Sequence, residues 1–147
     1  MGFLVGAILL AFASYASAHP ISVLVETAYV DRDVVTIDVE CFAEDLYFYH
    51  GLKPNDRNEV AAETLRETSV KHGPLLLERL PVFDSAGRRI EGGKVVSVTG
   101  NEFPADIPLG ELMGTSLIYR LELPLARPPE FLSFSQRLVD DDAGFPA

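Results

Sequence analysis

Apolar and polar residues alternate over Val34–Phe42, with Val35, Ile37, Val39 and Cys41 on one side and Thr36, Asp38 and Glu40 on the other. A period of two with one polar face predicts a strand of an antiparallel sheet lying on a core. Ile21–Val30 is rich in β-branched residues and predicts a preceding strand, joined to the first by the polar Asp31-Arg32-Asp33. Leu117–Leu123 alternates too, with Leu117, Tyr119, Leu121 and Leu123 on one face and Ile118, Arg120 and Glu122 on the other. Lys94–Thr99 (KVVSVT) and Phe131–Leu138 (FLSFSQRL) also read as strands. Leu80–Phe83 and Arg88–Glu91 flank Asp84-Ser85-Ala86-Gly87, a hairpin-type turn.

Two stretches break this pattern. Ala43–His50 is dense in aromatics and ends at Gly51. From Asn58 the spacing becomes helical, with Asn58 as the expected N-cap and Val60, Ala61, Leu65 and Val70 near one stripe. His72-Gly73-Pro74 is expected to end or kink this helix, and Leu75–Leu80 to form a second short one. Glu102–Gly114 is a Pro- and Gly-punctuated excursion with one helical turn around Leu109–Met113.

Six or seven short strands with hairpin turns predict a mainly β domain, an immunoglobulin-like antiparallel β-sandwich with a helical insertion over about residues 58–80, between strands 2 and 3. The alternatives are a half-open barrel and an α+β sheet with the helix covering one face.

Charge changes the picture at the N-terminus. Residues 1–18 hold none of the 34 charged residues (12 Lys and Arg, 22 Asp and Glu), and Phe3–Phe12 is almost wholly apolar. The segment closes on Ala16-Ser17-Ala18, a small-x-small pattern that suits a signal peptidase, although no Lys or Arg precedes the apolar run. The expectation is a signal peptide over 1–18, a domain over 19–139 and an acidic tail over 140–147, secreted or periplasmic after cleavage between Ala18 and His19. A net charge of −10 argues against nucleic acid and anionic lipid as direct partners. Cys41 is the only cysteine, so an exported chain of this kind depends on its core and not on an internal disulfide.

Candidate chemistry is sparse. Cleavage before His19 gives a mature terminus whose amine and imidazole Nδ1 can chelate one ion, as in the histidine brace of copper proteins. His50 or His72, the only other histidines, would complete the site, and His50 is the expected partner. The ion would be copper or nickel; no other cofactor is expected. The competing reading makes His50 and His72 capping residues, since each precedes a glycine where a helix can end. Glu44 and Asp45 read as an acid–base pair or as caps of a strand-to-helix junction, the latter being favoured. Tyr47-Phe48-Tyr49 is expected to fill core, and Cys41 to be a buried structural thiol. No Ser-elbow, H-E-x-x-H, Walker A or dinucleotide motif occurs, so no catalytic role is expected.

His19-Pro20, the hairpin, Glu44-Asp45-Leu46 with its aromatics, the helix and Leu80-Pro81-Val82-Phe83-Asp84-Ser85-Ala86-Gly87 follow one another in an order that carries a resemblance. The order continues through Tyr119–Leu125 and Pro128-Pro129-Glu130-Phe131-Leu132-Ser133-Phe134. It resembles the extracytoplasmic N-terminal domain of HupE/UreJ-type accessory proteins, a family associated with nickel handling. In that family such a domain often precedes several membrane-spanning helices. The resemblance implies an exported binding or scaffolding domain whose partner is a membrane transporter or another envelope protein.

Overall fold

The structure, a computed structural model, describes residues 24–135. The expected signal peptide, His19 and the acidic tail lie outside them. Four strands form an antiparallel sheet in the order β1-β2-β7-β5: β1 (Leu24–Asp31), β2 (Val34–Phe42), β7 (Ser116–Pro124) and β5 (Lys94–Thr99). β1 and β2 make the expected hairpin, with Arg32 in its turn at φ 50. In the centre Val35 pairs with Leu123, Ile37 with Leu121, Val39 with Tyr119 and Cys41 with Leu117. All eight side chains are buried, so the alternation read from the sequence is the inner face of the sheet. The outer face is polar. There Arg120 holds Asp38 with two charge-assisted bonds of 2.8 Å, and Lys94 meets Glu122 at 3.0 Å. The paired guanidinium keeps the Asp38 carboxyl below its ordinary pKa.

Among the described residues the inner face is covered chiefly by helix, with Val60 and Val82 of two short strands completing the core. α1 (Ala43–Tyr49) follows β2 directly, where the Phe42 N–H donates to Asp45 Oδ2 at 2.8 Å. A two-residue strand, β3 (Glu59–Val60), precedes α2 (Ala62–Arg79). β3 pairs with β6 (Ile107–Pro108), and β4 (Val82–Phe83) pairs with β8 (Ser133–Phe134). A 3₁₀ turn at Leu109–Gly114 leads into β7. The antiparallel, strand-rich character of the chain therefore holds. Among the described residues the second sheet of a sandwich is not formed: the remaining strands are two residues each, and α2 occupies its place. A sandwich needs a second alternating face; α2 supplies a helical stripe of Leu65, Thr68, Ser69, His72, Gly73 and Leu76 instead.

Three local expectations are corrected. Asn58 is not the N-cap of α2. It stands at φ 64 in a turn, beside Asn55, whose Oδ1 accepts from the Arg57 and Glu59 N–H groups at 2.9 and 3.1 Å. The cap comes from across the chain, where Asp106 Oδ1 accepts from the Ala62 N–H at 3.1 Å. Val70 does not lie on the buried stripe; it is 63% exposed. Finally, α2 runs through His72-Gly73-Pro74 without ending. Pro74 removes only the N–H that would bond the Val70 carbonyl, at a turn open to water.

Gly73 remains glycine for a packing reason. A Cβ there would lie 2.8 Å from Val95 Cγ2 and 3.2 Å from Cγ1, a β-branched side chain with little room to turn. Gly73→Ala sets a helix-propensity gain of about 1 kcal/mol against an overpacking cost of roughly 1–3 kcal/mol. The expected net result is a loss of stability in urea titration. In a Val95→Ala background the same change should become stabilising, and equal effects in both backgrounds would disprove the contact.

Candidate functional site: a histidine pair beside an apolar groove

α1 packs against α2, and this brings His50 to His72. His50 is the C-cap of α1, its N–H donating to the Leu46 carbonyl at 3.1 Å. His72 sits mid-helix on the buried stripe of α2 and is 0% exposed. His50 Nε2 and His72 Nδ1 are 3.1 Å apart. The His72 ring is enclosed by His50, Tyr49 and Tyr119, with centroids 5.3, 5.5 and 5.9 Å away. Arg79 lies over the Tyr49 ring, 5.1 Å from its centroid. Tyr119 donates its hydroxyl to the Ser69 carbonyl at 2.8 Å, tying the central strand to α2.

Burial decides the charge state of this cluster. His72 is pushed down to about 4, first by burial and then by His50 and Arg79. His50 is lowered by partial burial and by Lys71. Burial raises the Cys41 thiol and the Tyr119 hydroxyl above their ordinary values. At neutral pH all four groups are uncharged. His72 Nε2 is buried with no hydrogen-bond partner among the described residues. A bare lone pair there costs less than a bare N–H, so the cheaper tautomer has His72 Nδ1–H donating to His50 Nε2.

His19 lies outside the described residues, so its pairing with His50 is open to experiment and not to inspection. His50 is already engaged by His72. Among the described residues no three His, Cys, Asp or Glu side chains converge as metal ligands. His50 does cap a helix end, as the competing reading expects, but His72 does not. Asp45 serves the β2–α1 junction as a cap, the favoured reading for that residue. Cys41 is fully buried, as expected. The aromatic run divides: Tyr47 packs on the core, Phe48 is 46% exposed, and Tyr49 flanks His72.

On the other side of Ser69 and Tyr119 lies a groove of about 570 Å3 between α2 and β5. Val70, Pro74 and Leu77 form one wall and Val95, Val96 and Val98 the other. Lys94 is the one charged residue lining it, and Glu122 neutralises it. β5 has β7 on one side only, so among the described residues its other edge is unpaired. No family model, curated protein or solved structure matches the chain. The site therefore has to be read from its own chemistry. Sequence reasoning missed the placement of His72, although Leu65, Ser69, His72 and Leu76 do follow helical spacing. It missed the groove because that depends on where α2 crosses the sheet.

Among the described residues no helix is long and apolar enough to cross a membrane.

Proposed function

We propose that this chain is an exported, non-catalytic binding or scaffolding module that works beside a membrane metal transporter or another envelope protein. The observation that carries the reading is a contrast on α2. Its one histidine, His72, is sealed and neutral, while the wall it turns to the groove, Val70, Pro74 and Leu77, is apolar and faces a strand edge that is unpaired among the described residues. A general base or nucleophile must reach its substrate, and neither His72 nor Cys41 has any exposure. An apolar groove beside a sheet edge is suited to docking another chain. The uncharged leader supports export, and the resemblance to HupE/UreJ-type domains supports the transporter as partner. The immunoglobulin-like sandwich belongs to the same proposal as a distant architectural relation, supported by the antiparallel hairpins alone.

Mass spectrometry of protein recovered from outside the cytoplasm tests the reading. The expected mature chain begins at His19. Recovery only from inside the cell, with Met1 attached, would overturn it. Copper or nickel titrated into the mature chain should not bind tightly, because His50 is engaged by His72. Tight binding that disappears in His19→Ala would install the N-terminal metal site as the function instead.

A further inference from the structure

We propose that the free edge of β5 and the groove beside it are the seat of a second copy of this chain, so that two sheets join into one of eight strands. The inference goes beyond the docking reading by naming the surface and its occupant. It starts from charge. Each copy carries −10, so two copies can meet only where acidic groups are absent.

The two edges of the sheet differ in this respect. β1 ends on Asp31, with Asp33 just beyond, and negative charge on an edge strand discourages pairing between like-charged chains. β5 contains no carboxylate. Its one charge, Lys94, is held by Glu122 at 3.0 Å.

β5 is also complementary to itself. β5 is irregular between Val95 and Ser97, which puts Val95 and Val98 on the inner face and Lys94, Ser97 and Thr99 on the outer one. Laid antiparallel on a second β5 about a two-fold axis, Lys94 comes opposite Thr99, Val95 opposite Val98 and Ser97 opposite its own copy, with Val96 as the extra residue. No like charges face one another, and the β-branched residues meet in pairs that favour a ladder. A two-fold axis perpendicular to the sheet also keeps the two α2 helices on the same face. The grooves then become two halves of one seam. Val70, 63% exposed, and Val96, 47% exposed, would turn toward the partner's Val70 and Val96. Six residues of strand and one helix turn make a small interface, so the dimer is expected to be weak, with Kd on the order of 10–100 µM at high salt.

Sedimentation equilibrium of the full chain, as recovered after export, tests this in sodium chloride at about 20 mM and about 500 mM. Salt screens the mutual repulsion over that range, since the Debye length falls from roughly 20 Å to about 4 Å. The dimer should tighten at least tenfold. Val96→Lys and Val70→Lys change exposed residues and should each weaken it at least tenfold with the thermal melt unchanged. Val30→Lys, on the opposite edge and 48% exposed, should leave it intact. A chain that stays monomeric at about 200 µM in both salts overturns the proposal, and the groove would then belong to a foreign segment. So does a dimer that Val30→Lys breaks and Val96→Lys does not. Neither outcome bears on where the mature chain begins, so failure here is separable from failure of the export reading.

Discussion

Between pH 6.5 and about 4 the folded domain should lose roughly 3 kcal/mol of stability through His72 alone. The sign follows from which state takes the proton. Above pH 6.5 His72 is neutral whether the chain is folded or not, and it contributes no pH dependence. As pH falls below 6.5 the unfolded chain binds a proton that the folded chain refuses, because the ring is sealed beside His50 and Arg79. Stability therefore drops until about pH 4, where the folded state accepts the proton and the loss levels off. The lowered pKa of Asp38, held by Arg120, acts in a different window: its contribution is complete above the ordinary carboxylate range and fades only as pH falls below about 4. Urea unfolding at half-unit pH steps separates the two. His72→Leu should remove most of the upper window, leaving the smaller part that His50 contributes, and keep the lower one in place. Because it also removes an unpartnered buried nitrogen, its stability at pH 7 should stay within about 1 kcal/mol of the parent. A variant with the parent's slope between pH 6.5 and 4 would show that His72 is not sealed.

Gly100→Ala should cost about 3 kcal/mol, a fall of about 10 °C in Tm. Two independent effects meet at this residue. Gly100 has φ +82, a conformation that a side chain makes costly. A Cβ there would also lie 2.5 Å from the Ser116 carbonyl oxygen and 3.4 Å from Leu117 Cα. Those are backbone atoms at the start of β7, so nothing can swing aside; β5 and β7 would have to separate where Thr99 pairs with Ile118. Gly110→Ala is the control. It lies in the 3₁₀ turn with nothing within 4 Å of its would-be Cβ, and it should change stability by no more than about 0.5 kcal/mol. Equal melting of the two variants would remove the close approach of the strands from the account.

Strands with one polar face were the most legible part of this chain. β2 and β7 were read with their faces correctly assigned, because alternation is set by adjacent residues and survives any tertiary arrangement that buries one side. The β1–β2 hairpin, β5 and the turn at Asp84–Gly87 were legible for the same reason: Asp84 Oδ1 accepts from the Ala86 and Arg88 N–H groups at 2.9 and 3.0 Å, a bond pattern contained within five residues. α2 was legible as a helix but not in its limits. Its start depends on Asp106, 44 residues away, and its passage through Pro74 depends on a solvent-facing turn. The candidate site was half visible. His50 could be placed at a helix end from Gly51, whereas His72 looked like its equivalent because Gly73 follows it; Gly73 serves the contact with Val95 instead.

Local pattern is enough to establish a strand-rich antiparallel domain with one apolar sheet face, one polar face, a helix after the second strand and a single buried thiol. Each of those follows from periodicity or composition, which act over a few residues. Packing decides that the apolar face is covered chiefly by α2 in place of a second sheet, that two distant histidines meet at 3.1 Å, and that β5 ends the sheet as a carboxylate-free edge, unpaired among the described residues. These depend on which surfaces meet. Contact between residues far apart in the chain is set by the packing of whole elements, and no local pattern encodes it.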